Sequence, residues 1–111
     1  MADGVIDDKV FDELAQTTGA EFVVELVQVF FEEAPTMLAA LRTAYAEGAL
    51  EQFRRAAHSL KTNALTFGAA QLATQARALE LDGLLASAAA LDALDAAYQA
   101  TVTALRTRAH G

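Results

Sequence analysis

Apolar residues recur along the chain at gaps of three and four, the period of one face of an α-helix. Val10, Phe11 and Leu14 mark a short first segment over Asp7 to Gln16, which Asp7 or Asp8 can cap. Thr17, Thr18 and Gly19 interrupt the pattern. A second segment starts near Ala20 and is dense in large apolar side chains: Phe22, Val23, Leu26, Val27, Val29, Phe30 and Phe31. It continues past Glu32, Glu33 and Pro35 into Met37, Leu38, Leu41 and Tyr45, and Glu47 and Gly48 close it. Proline lacks an N–H and clashes with the carbonyl four residues back, so a kink or break is expected near Glu32. The pattern allows one bent helix or two.

A third segment runs from about Leu50 to Thr66, with Gly68 just past its end, where a left-handed residue commonly closes a helix. A fourth, from about Ala70 to Leu81, carries Leu72, Ala76 and Leu79, and Asp82 and Gly83 interrupt it. A fifth, from about Ala86 to Arg108, carries a core stripe of Leu91, Leu94, Tyr98, Val102 and Leu105. No alternating, β-branched run competes with these patterns. The short linkers predict antiparallel neighbours: an all-α, up-and-down four-helix bundle over about 20–108, with a short extra N-terminal helix at about 7–16. At 111 residues the chain has room for one small core, so one domain over 1–111 is expected.

Composition sharpens this picture at a few points. Fifteen acidic residues against eight basic ones give a net charge of −7, which argues against nucleic acid as a partner. The absence of cysteine removes disulfides, thiolate nucleophiles and cysteine-ligated zinc. The longest stretch without a charge, Thr62 to Ala76, is 15 residues long and carries several polar side chains, too short and too polar to cross a bilayer. The acidic N-terminus lacks the order of a signal peptide. A cytoplasmic, monomeric protein is expected.

The third segment carries the candidate chemistry. Phe53, Ala57, Leu60, Ala64 and Phe67 form one stripe within about 40° on a helical wheel, and that stripe must face the core. His58 falls about 140° from Phe53, with Arg54, Lys61 and Leu65 on the same flank at about 80–120° and Thr62 at about 180°. A water-facing imidazole is in part neutral and nucleophilic at neutral pH. No His, Cys or carboxylate stands at positions 54, 55, 61, 62 or 65 to complete a metal site, and His110 sits next to the C-terminus. A convex helix flank offers no concave pocket for acid–base work on a small molecule. Covalent phosphorylation of His58 fits better, with the Lys61 ammonium one turn away to meet the charge. A surface histidine on a purely structural bundle would look the same in isolation, so the surrounding pattern decides.

That pattern, A-H-S-L-K-T-N-A-L-T-F-G-A over Ala57 to Ala69, resembles the phosphoacceptor helix of histidine-containing phosphotransfer (HPt) domains. The family pattern is roughly H-x-L-K-G, four residues, a hydrophobic residue, Gly and a small or hydrophobic residue. His58, Leu60, Lys61, Phe67, Gly68 and Ala69 stand at matching positions. Phe30 to Leu41 and Leu72 to Glu80 resemble the helices before and after it, so the resemblance spans about Ala20 to Asp82. Two positions depart from the pattern: Thr62 replaces the usual Gly, and Asn63 replaces a small residue. In the family that Gly leaves space for the incoming partner, so Thr62 is expected to narrow access.

The resemblance implies a phosphocarrier between receiver-domain aspartates in a two-component phosphorelay. His58 would be the phosphoacceptor, Lys61 would offset phosphoryl charge, and Arg54, Thr62 and Leu65 would meet the partner. It implies no cofactor on this chain, with Mg²⁺ expected on the partner receiver. No G-x-x-x-x-G-K-[ST] loop occurs, so a complete kinase is not expected. Two alternatives stay open: a helical interaction module that binds a receiver or kinase without carrying phosphate, and the phosphoacceptor module of a chemotaxis-type kinase.

Overall fold

Local backbone signals set the ends of the helices, as the computed structural model shows for residues 4–110; the side chain of His110 lies outside the described residues. Helix α1 (Asp8–Thr18) follows Asp7, whose carboxylate accepts from the Lys9 N–H at 3.1 Å. It outruns the expected end at Gln16 because Thr18 fits the last turn, its hydroxyl donating to the Leu14 carbonyl at 2.8 Å. Gly19 alone links it to α2 (Ala20–Glu47), which passes through Pro35 without interruption. The break allowed near Glu32 therefore does not occur. Pro35 lies exposed, while Phe30, Ala34 and Leu41 on either side of it are buried. Burying large apolar side chains, at about 1.5–3 kcal/mol each, outweighs the roughly 3 kcal/mol cost of an interior proline.

Helix α3 (Leu50–Thr66) has the expected bounds. At its end the Ala69 N–H donates to the Ala64 carbonyl at 2.9 Å and the Gly68 N–H to the Leu65 carbonyl at 3.2 Å, a complete Schellman turn. Gly68 has φ +76°, and a Cβ there would meet the Asp7 carbonyl oxygen at 2.8 Å. Its own carbonyl accepts from the Asp7 N–H at 2.7 Å. One glycine thus ends α3 and seats the start of α1 against it.

Helix α4 (Ala70–Asp82) leads through a 3₁₀ turn at Gly83–Leu85 to α5 (Ala88–His110). The last helix starts two residues later than the expected Ala86. Ser87 is its cap, accepting from the Ala90 N–H at 3.1 Å, and Ala86 is extended. The Ala86 carbonyl takes the Tyr45 hydroxyl at 2.6 Å, which ties this connection to the end of α2.

Helix α2 packs on α3, α3 on α4, α4 on α5 and α5 on α2, closing a ring of four, while α1 lies across α2 and α3. This is the expected bundle with its extra helix, and no strand occurs among the described residues. All five residues of the α3 stripe are buried, as are the stripes expected for α4 and α5. Phe30 centres the core, with ring centroids 5.3 Å from Phe67 and 5.9 Å from Tyr98. Phe22 and Val29 are each about half exposed, because so dense an apolar run covers more than one helix face. Packed by α2, α4 and α1, α3 has its outer flank fixed in place.

Candidate functional site

With Phe53, Ala57 and Leu60 fully buried, the helical period leaves His58 on the outer ridge of α3, its side chain 58 % exposed. Shallow grooves flank the ridge. One, between α3 and α2, is lined by Arg55, Ser59 and Met37 among others. The other, between α3 and α4, is an open depression of about 430 Å³ lined by Arg54, Lys61, Arg77, Glu80 and Leu81.

Glu80, in the last turn of α4, organises the site. Its Oε2 lies 3.0 Å from His58 Nδ1, and its Oε1 accepts from Lys61 Nζ at 3.0 Å. One carboxylate therefore binds two side chains one turn apart on the facing helix. An ionised carboxylate only accepts, so Nδ1 must carry the proton of the bond. In neutral imidazole the other nitrogen, Nε2, is then unprotonated and keeps its lone pair. The Lys61 bond holds the Glu80 carboxyl below the usual carboxylate range; partial burial opposes this, and the His58 bond adds to it. Glu80 is thus ionised at neutral pH and suited to its role as acceptor.

The rest of the expected constellation divides. Arg54 joins the same groove, its Nε donating to the backbone carbonyl of Glu80 at 3.2 Å, which fixes the turn that carries the carboxylate. Gly83 lies against it: a Cβ there would meet the Leu50 side chain at 2.8 Å. Leu65 is 56 % exposed and lines a neighbouring hollow with Lys61, Thr74 and Arg77. Thr62 is exposed, but its hydroxyl folds back to donate to the His58 carbonyl at 3.1 Å.

The spacing on α3 offered no carboxylate at positions 54, 55, 61, 62 or 65 and gave Lys61 a phosphoryl group to meet, without a partner already bound to it. The structure adds that partner from another helix: Glu80, 22 residues from His58, which already engages Lys61. The available signal was Glu80 itself, an acidic residue beside the core residue Leu79. Arg77, one turn earlier on α4, was also passed over; it lines both hollows and makes no hydrogen bond or ion pair among the described residues. Among the described residues no group of His, Cys, Asp and Glu is arranged to hold a metal ion.

The model of one protein family, the Hpt domain, matches residues 25–106. The chain belongs to the Hpt family. The match takes in α3, α4 and most of α2 and α5, so His58, Lys61 and Glu80 all fall within it. No curated protein and no solved structure matches the chain significantly. As an Hpt domain it is a phosphotransfer module of two-component signalling, a family whose members interact with receiver domains. No helix among the described residues is long and apolar enough to cross a membrane.

Proposed function

We propose that this Hpt domain relays a phosphoryl group between receiver-domain aspartates through His58. The observation that carries this reading is the bond from Nδ1 to Glu80, which leaves Nε2 unprotonated on an exposed ridge. Nε2 attacks the phosphorus of a receiver's aspartyl phosphate. The N–P bond forms as the P–O bond breaks, and the aspartate carboxylate leaves with its electron pair. No proton has to move, because Nδ1–H stays with Glu80. In the reverse direction the electron pair returns to Nε2 as a second receiver's carboxylate attacks. Such in-line transfer depends mainly on positioning and charge neutralisation, which His58, Glu80 and Lys61 supply here. Mg²⁺ belongs to the receiver in this scheme.

Leu65 and Arg54 would form the rim on which the receiver settles, and Thr62 the side that limits its approach. The domain works as a monomer and as one unit from α1 to α5, since the Asp7–Gly68 bond joins the first helix to the end of the histidine helix. The test is incubation with a phosphorylated receiver. Acid-labile, alkali-stable label should appear on this chain and vanish in His58→Gln. Stable complex formation without label would leave an interaction module instead.

A further inference from the structure

The Lys61 ammonium, one turn along α3 from a phosphoryl group on His58, is already held by a partner. It is bound to Glu80 Oε1 at 3.0 Å, and the side chain is only 22 % exposed. The same carboxylate holds His58 Nδ1 through its other oxygen. Before transfer the three groups carry a neutral ring, one cation and one anion, so Glu80 and Lys61 neutralise each other.

Attack of Nε2 changes that count. The ring, still protonated at Nδ1, becomes an N-phosphorylated imidazolium, and its positive charge lies against Glu80. The phosphoryl group brings a dianion to the opposite nitrogen. Glu80 thus gains a new cation in the same step that creates a new anion for Lys61. Lys61 stands one turn along α3 from His58, on a flexible four-carbon stem, within reach of either partner.

We infer that Glu80 is a positioning residue that holds Lys61 in reserve, and that phosphorylation of His58 passes the Lys61 ammonium from Glu80 to the phosphoryl oxygens. The inference rests on the relay reading above. Its consequence concerns energy: because Lys61 must give up one charge-assisted bond to make another, it stabilises phosphohistidine only slightly, and the group remains easy to pass on. Arg54 is tied instead to the Glu80 backbone, its Nε donating to the carbonyl at 3.2 Å.

The test is a double-mutant cycle on the equilibrium between receiver aspartyl phosphate and phosphohistidine. Glu80→Gln keeps an acceptor for Nδ1–H and removes the charge that holds Lys61. In the natural chain Lys61→Ala should lower the phosphohistidine share by about threefold; in the Glu80→Gln chain it should lower it by about thirtyfold, the freed ammonium now contributing a whole charge-assisted bond. Lys61→Met, which keeps the aliphatic stem in its groove, should repeat both factors and separate lost charge from lost packing. A purely structural role for Glu80 would leave the Lys61 effect unchanged. Equal factors in the two backgrounds would therefore overturn the exchange while leaving the relay intact. A chain that takes up no phosphoryl group at all would overturn both.

Discussion

The bundle contains two charge clusters of the same plan and opposite sign. On one side Arg42 of α2 reaches across to Asp92 and Asp95, one turn apart on α5, at 2.8 Å and 3.2 Å. On the other, Glu80 of α4 reaches across to His58 and Lys61, one turn apart on α3, each at 3.0 Å. Both place a forked group opposite two partners at i and i+3, and both bridge neighbouring helices. The Arg42 cluster holds no imidazole: guanidinium stays protonated, its pKa raised further chiefly by the hydrogen bond to Asp95, and both carboxylates are held in ion pairs with it. The Glu80 cluster leaves one atom over, because imidazole has a second nitrogen on the far side of the ring. Ion-pair geometry therefore does not distinguish a site from a surface clamp. What distinguishes them is a partner with reactivity left after its hydrogen bond is made.

The comparison is broken or sharpened first at His58. His58→Gln should abolish phosphoryl uptake while leaving helicity and melting temperature nearly unchanged, measured by labelling and thermal unfolding. A large loss of stability would place the histidine among the structural residues. The core beneath it should behave in the opposite way. Leu60→Ala and Phe67→Ala should each cost about 2–5 kcal/mol in denaturant unfolding, as buried large-to-small changes do. If both proved neutral, the ridge would not be held by its stripe.

Removing the organising charge of each cluster is the direct comparison. Glu80→Ala should slow phosphoryl transfer to His58 by roughly tenfold, the loss of one oriented hydrogen bond at about 1.4 kcal/mol. Asp95→Ala, the corresponding change in the other cluster, should leave that rate unaltered. Equal slowing by both would mean that general surface charge governs the reaction.

The smallest effect is on acid stability. The folded-state pKa of Glu80 is lowered, so its contribution is present above the ordinary carboxylate pKa and is lost as pH falls through the lower folded value. The stability gap between the natural chain and Glu80→Gln should accordingly shrink on acidification below about pH 4.3. A gap that widened there would contradict the ion pair.

Much of this protein was legible in its order of residues, and the exceptions share a cause. The bounds of α3 were readable because glycines bracket it, and its buried stripe followed from spacing alone. The start of α5 was misplaced by two residues because the alanines there give no period, and only the Ser87 hydroxyl marks the boundary. Pro35 left one helix or two open, since its local cost is set against burial that sequence does not quantify. Glu80 was missed because its partners lie on another helix.

The sequence by itself determined the helical class, the core faces and the exposure of His58, since these depend on intervals of three and four along one strand of backbone. The tertiary structure decided which proton His58 carries, what holds Lys61, and that α1 is seated on Gly68. Each of these is a hydrogen bond between residues far apart in the chain. Its formation depends on how two helices are rotated and shifted against each other, and that is fixed only when the whole core packs.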